Sequence, residues 1–220
     1  MNQEVLSLLA SLNADMADAI DRVHRSLVHI SNGRLVHISN GRGAGAGTIW
    51  HPDGLIVTNA HVVHGRHDLK VSLPDGRRLP ARLLAADPDR DLAALSVDAT
   101  DLPTIEIGDS RQVRPGQWVM AVGHPWVMAV GHPWGIQGSV TSGVVIGSGD
   151  ALPEMRPGRD WIALSLHMRP GHSGGPLVDS QARLIGINTM ITGPDVGFAI
   201  PVQTVKLFLK EALGSRETIV

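Results

Sequence analysis

The stretch Arg169-Pro170-Gly171-His172-Ser173-Gly174-Gly175-Pro176-Leu177 sets one serine among three glycines. Glycine lets the backbone turn sharply and leaves bare N–H groups beside the hydroxyl. A serine hydroxyl stays protonated at neutral pH, and it attacks a carbonyl only when a base takes its proton and donors receive the oxyanion. The rest of the chain must therefore supply a base. The competing reading is a plain glycine-rich turn between strands.

Two arrangements can supply that base. Gly171 to Gly175 fits the G-x-S-x-G elbow, whose triad runs in the order serine, acid, histidine. No histidine follows His172, so that arrangement lacks its base within this chain. Upstream, Thr58-Asn59-Ala60-His61-Val62-Val63 follows the apolar run Leu55-Ile56-Val57, and Asp91-Leu92-Ala93-Ala94-Leu95-Ser96-Val97 comes next. The order His61, Asp91, Ser173 is the chymotrypsin order.

Thr58 to Val63, Asp91 to Leu95 and Gly171 to Pro176 each resemble a segment of the HtrA/Deg family of trypsin-fold serine proteases. Val119-Met120-Ala121-Val122-Gly123, Gly186-Ile187-Asn188-Thr189 and Gly197-Phe198-Ala199-Ile200-Pro201 add matches in the same order, so the resemblance covers about residues 27 to 210. It implies two antiparallel six-stranded β-barrels of chymotrypsin type, with the active site in the cleft between them. It also implies acyl-enzyme cleavage of unfolded or misfolded polypeptides, without a cofactor. A catalytically idle, chaperone-like binding scaffold is the alternative, and an esterase using the same serine is a third class.

On this resemblance His61 acts as general base and then as acid, while Asp91 fixes its tautomer. Asp87 and Asp89 are rival acids, but Asp91 alone starts the Leu92 to Val97 strand. The N–H groups of Gly171 and Ser173, with that of His172 nearby, form the oxyanion hole. By the same resemblance Met168 and either Met190 or Ile191 are expected to line the S1 pocket, and Thr189 and Ile191 are placed to pair the substrate backbone as an added strand. No carboxylate stands in the six residues before Ser173, so small to medium aliphatic P1 residues are expected. His172 replaces the family's usual asparagine and is expected to be an exposed loop side chain. His61, His64 and His67 stand three apart without a matching carboxylate or cysteine, so no metal is expected.

Composition agrees with an all-β chain. Its 220 residues include 25 glycines, 14 prolines and 43% hydrophobic residues, favouring short strands and turns around sizeable cores. A net charge of −2 gives no pull toward nucleic acid or anionic membrane. No cysteine is present, so no disulfide supports the fold. The expected divisions are an N-terminal amphipathic helix over 1–26, a first barrel over 27–107 and a linker over 108–117. A second barrel over 118–201 follows, then a C-terminal helix and tail over 202–220.

Leu8, Leu9, Leu12, Met16, Ile20 and Val23 recur at helical spacing, predicting a helix from Gln3 to roughly Arg25. The start lacks the charge pattern of a signal peptide, and no run is long enough to span a bilayer. In the family this segment helps to hold a homo-trimer together, and bacterial members usually act outside the cytoplasm. Members usually carry a PDZ domain after the closing helix. The tail Glu217-Thr218-Ile219-Val220 itself resembles a ligand for such a domain.

Two tandem repeats depart from any family. Leu27 to Arg34 recurs unchanged as Leu35 to Arg42, and Trp118 to Pro125 recurs as Trp126 to Pro133. Perfect identity points to engineering, a recent duplication or a fault in the written sequence. Each repeat falls on the first strand of its barrel, with Leu35 to Ile38 a strand candidate in the first. Eight is even, so either copy keeps every side chain on its proper face. The spare copy must leave the strand as a hairpin or a loop, with lowered stability expected.

Overall fold

The computed structural model describes residues 2–31, 44–65, 68–124, 138–149, 160–193 and 195–214. The chain opens with helix α1 (Gln3–His24), capped where the Asn2 side chain accepts the Glu4 N–H at 3.3 Å. Its C-terminal part is seated by buried Ala19 and Val23, while Val5, Leu6, Leu8, Leu9 and Leu12 are exposed. The Ser26 hydroxyl closes the helix by donating to Val23 O at 2.9 Å.

The first barrel comprises β1 (Leu27–Ser31), β2 (Ala44–His51), β3 (Leu55–Thr58), β4 (Lys70–Ser72), β5 (Arg78–Asp87) and β6 (Leu92–Val97). Between β3 and β4 lies a single helical turn, α2 (Ala60–Val63). The strands close in the order β1-β2-β3-β6-β5-β4, all neighbours antiparallel. β3 is buried along its whole length, as its unbroken apolar run requires.

The second barrel repeats that winding. Its strands β7 (Trp118–Gly123), β8 (Ser139–Ser148), β9 (Ile162–Ser165), β10 (Pro176–Val178), β11 (Leu184–Gly193) and β12 (Val196–Pro201) close in the order β7-β8-β9-β12-β11-β10. Helix α3 (Val202–Leu213) follows, packing Val202, Val205, Phe208 and Leu209 against the core. The expected all-β, two-barrel architecture with a helix at each end is present. No helix of the described residues is long and apolar enough to cross a membrane.

The repeats resolve in one direction. Leu27–Ser31 and Trp118–Gly123, the upstream copies, fill β1 and β7. Leu35 to Ile38 and the copy from Trp126 to Pro133 lie outside the described residues. The connectors explain the choice. β1 follows α1 directly, with the Ile49 N–H on Ser26 O at 2.8 Å, and the Val145 N–H holds Gln117 O at 2.9 Å just before β7. Placing the downstream copy in either strand would detach an anchored connector, whereas the observed register keeps both of these bonds.

Candidate active site

His61 is carried on α2, immediately after the extended residue Asn59. The Asn59 amide donates to the Asp91 backbone carbonyl at 3.0 Å and so ties the end of β3 to the start of β6. Asp91 ends the turn before β6 with φ 56°, a left-handed conformation that is uncommon outside glycine. Its surroundings hold it there. The Asp91 carboxylate accepts the His61 N–H at 3.0 Å and lies 2.8 Å from the ring Nδ1. With Nδ1 bonded to the carboxylate, Nε2 is left for chemistry. Burial pushes the Asp91 carboxyl up, but hydrogen bonds from His61 and Thr189 outweigh it and hold the group below its usual range.

Thr189, on β11, connects this pair to the second barrel. Its hydroxyl donates to Asp91 Oδ2 at 2.5 Å, and its carbonyl accepts the Ser173 hydroxyl at 2.8 Å. Thus Ser173 is turned toward Thr189 O, and among the described residues it has no hydrogen bond to His61. Two further contacts fix the serine between the barrels. The Ala46 N–H donates to Ser173 O at 2.9 Å, and Gly174 lies so close to β2 and β3 that a Cβ would fall 2.1 Å from Ala46 O. Only glycine fits there.

The turn before Ser173 has its hydrogen bonds distributed so that two donors remain. Gly171 O accepts the His124 N–H at 3.0 Å, His172 O accepts the Gly175 N–H at 3.0 Å, and the His172 N–H donates to Arg169 O at 3.0 Å. With Pro170 second, Gly171 third at φ 105° and the His172 to Arg169 bond closing it, this is a type II turn. A type I turn would reverse the central peptide and with it the Gly171 N–H. Among the described residues, the Gly171 and Ser173 N–H groups have no acceptor in the protein. The expected third donor, His172 N–H, is occupied by Arg169.

The side chain of His172 corrects the sequence reading. It was expected to be exposed, yet it is 2% exposed, and its Nδ1 lies 3.1 Å from both N and O of Arg169. Burial lowers its pKa. The imidazole therefore braces the nucleophile turn from within. Sequence reasoning also missed the Thr189 hydroxyl, which was read only as a substrate-backbone partner.

Met168 is buried with its Cε against Gly197, Met190 is half-buried and Ile191 is 40% exposed. Among the described residues β11 pairs with β10 only between Leu184 and Ile187, and beyond Thr189 it pairs on the β12 side alone. His64 is exposed, His67 lies outside the described residues, and the described residues contain no metal-binding cluster. The tail from Glu217 to Val220 also lies outside the described residues.

Two closed barrels with a histidine, an aspartate and a serine converging at their junction define a trypsin-like peptidase architecture. The trypsin-like peptidase domain family matches residues 45–187. A probable periplasmic serine endoprotease, DegP-like, from Halomonas elongata is 43% identical over 170 residues, covering 73% of this chain and 33% of that protein. Serine protease HTRA1 from Xenopus tropicalis is 33% identical over 210 residues, covering 92% of this chain and 44% of that protein. The solved HtrA-type protease AlgW with tripeptide superposes with a TM-score of 0.76 at 29% identity, covering 92% of this chain and 64% of that one. The chain belongs to the trypsin-like peptidase family, as a serine protease domain of the HtrA type. It spans less than half the length of these two curated relatives.

Proposed function

We propose that the chain is a serine endopeptidase that cleaves unfolded polypeptides. The observation that carries this is the joint presence, around one turn, of Ser173, the His61 to Asp91 pair and two unspent N–H donors. In the reaction the Ser173 hydroxyl rotates from Thr189 O to His61 Nε2 and loses its proton as Oγ bonds to the substrate carbonyl carbon. The oxyanion is received by the N–H groups of Gly171 and Ser173. His61 then protonates the leaving amine, and water with His61 again as base releases the acyl group.

The single-sided stretch of β11 beyond Thr189 supports substrate binding as an added strand, with Ile191 beside it. Met168 on Gly197 and the partly buried Met190 supply apolar walls, which suit small to medium aliphatic P1 residues. The solved AlgW structure has a tripeptide with it, which supports a polypeptide substrate. Exposed Val5, Leu8, Leu9 and Leu12 on α1 support assembly into a trimer through this helix. The test is degradation of casein by the purified chain, with Ser173→Ala as control. Cleavage lost in that variant supports the assignment, and equal cleavage by both proteins contradicts it.

A second reading rests on the Ser173 bond to Thr189 O. If that bond persists in solution, the site is idle and the protein binds unfolded chains without cutting them. Binding of casein at full strength without cleavage, and without active-site labelling, would favour this scaffold.

A further inference from the structure

The oxyanion turn is tied to α1 by a chain of contacts that passes through two histidines. His24, the last residue of α1, bonds through Nε2 to Gly138 O at 2.8 Å, so this nitrogen carries the proton. The Gly138 N–H donates to His124 Nδ1 at 3.2 Å, and the His124 N–H donates to Gly171 O at 3.0 Å. The His29 ring meets His124 edge to face at 5.5 Å. The spacing leaves little slack. A Cβ on Gly123 would fall 2.5 Å from His172 Cα and 2.8 Å from Gly171 O, and one on Gly138 would fall 3.0 Å from His24 Nε2.

We propose that His124 and His24 are positioning residues for the oxyanion hole, holding Gly171 O so that the Gly171 N–H faces the substrate, which rests on the triad assignment above. The Gly171–His172 peptide is pinned at both ends, by His124 at its oxygen and by Arg169 O at its nitrogen. These two bonds fix the Gly171 Cα, from which the Gly171 N–H projects, and releasing the oxygen lets the turn shift and carry that N–H off the substrate. The His124 side chain prevents this by anchoring its own backbone through Nδ1. Its ring remains neutral and able to accept, because burial, with His29, His24 and His172 nearby, pulls its pKa down to about 3. His24 in turn holds Gly138, so the seating of α1 is passed to the hole.

The experiment compares the wild-type chain with His124→Leu, His124→Asn, His24→Leu and the double leucine variant. The readouts are kcat and KM on an acetyl-valine p-nitrophenyl ester, the rate of fluorophosphonate labelling and the melting temperature. Loss of one oxyanion donor costs about a hundredfold or more in kcat, so His124→Leu is expected to lose ~10- to 100-fold with KM within twofold. Asparagine offers an acceptor near the Nδ1 position, and His124→Asn should recover to within about fivefold. His24→Leu should lose kcat in the same sense, and the double variant should be no worse than His124→Leu. Wild-type kcat in folded His124→Leu overturns the proposal, as does an asparagine variant no better than leucine. If His124→Leu does not fold, His124→Asn and His24→Leu decide in the same way, an unchanged kcat in His24→Leu overturning the link to α1. Wild-type protein without Ser173-dependent labelling removes the triad assignment itself, and this proposal with it.

Discussion

Thr189 touches both ends of the reacting pair: its hydroxyl donates to Asp91 Oδ2, and its carbonyl accepts the Ser173 hydroxyl at 2.8 Å. One residue of the second barrel thus bonds Asp91 of the first and holds the Ser173 hydroxyl. A hydrogen bond to a charged group contributes about 1.5–3 kcal/mol. Thr189→Val, which removes the hydroxyl and keeps the carbonyl, should lower kcat roughly tenfold or more with little change in KM. Thr189→Ser should restore most of it. Steady-state kinetics on a peptide ester checks both.

Gly171 carries the conformation that aims its own N–H. At φ 105° an L side chain meets a left-handed penalty of roughly 1–2 kcal/mol, which a type I turn relieves. Gly171→Ala should therefore fold with the oxyanion donor reversed and lose about a hundredfold in kcat. A kcat within threefold of wild type would show that the turn does not govern the donor.

The three positions of the proposed triad could be picked out because each lies inside a contiguous motif whose residue types limit its chemistry. Both barrels were legible for a similar reason, since short apolar runs such as Leu55 to Thr58 and Leu92 to Val97 are punctuated by turns. What the sequence hid was contact at long separation. Thr189 meets Asp91 across 98 residues, and nothing local to either marks the pair. His172 looked like a solvated loop residue because its burial depends on how β7 and the nucleophile turn pack. The choice between repeat copies was invisible too. An even repeat preserves both faces of a strand, and only the anchored connectors at Ser26 and Gln117 break the tie.

Those repeats supply a test of the register. Deleting either copy of a repeat yields the same chain, so one variant per repeat suffices. Since β1 and β7 use the upstream copy, the single-copy chain keeps both barrels, with eight fewer residues between β1 and β2 or between β7 and β8. A shorter loop lowers closure entropy by about 0.6 kcal/mol per halving, so the melting temperature should be unchanged or slightly higher. A cooperative unfolding transition retained with active-site labelling supports the register. Loss of both would show that the second copy fills a place in the fold.

His124 predicts an acid limit to stability. Its pKa is about 3 in the folded chain, against about 6.5 for an unperturbed histidine. Between those values the unfolded state binds the extra proton, so stability falls as pH drops below about 6.5 and continues to fall toward about 3. The slope from this one group reaches at most ~1.4 kcal/mol per pH unit. Melting temperatures between pH 7 and 4.5 should therefore decline less steeply in His124→Asn than in the wild type. Equal slopes would show that the buried ring is not the cause.

The proposed function stands or falls on Ser173 being the nucleophile activated by His61. The most direct measurement is intact-mass analysis after exposure to a fluorophosphonate probe at several pH values, with Ser173→Ala and His61→Ala alongside. One adduct is expected, mapped to Ser173, absent from Ser173→Ala and slowed at least about a thousandfold in His61→Ala, on the order expected for loss of a triad member. Wild-type protein that gains no adduct at any pH, or gains one at a residue other than Ser173, would contradict it.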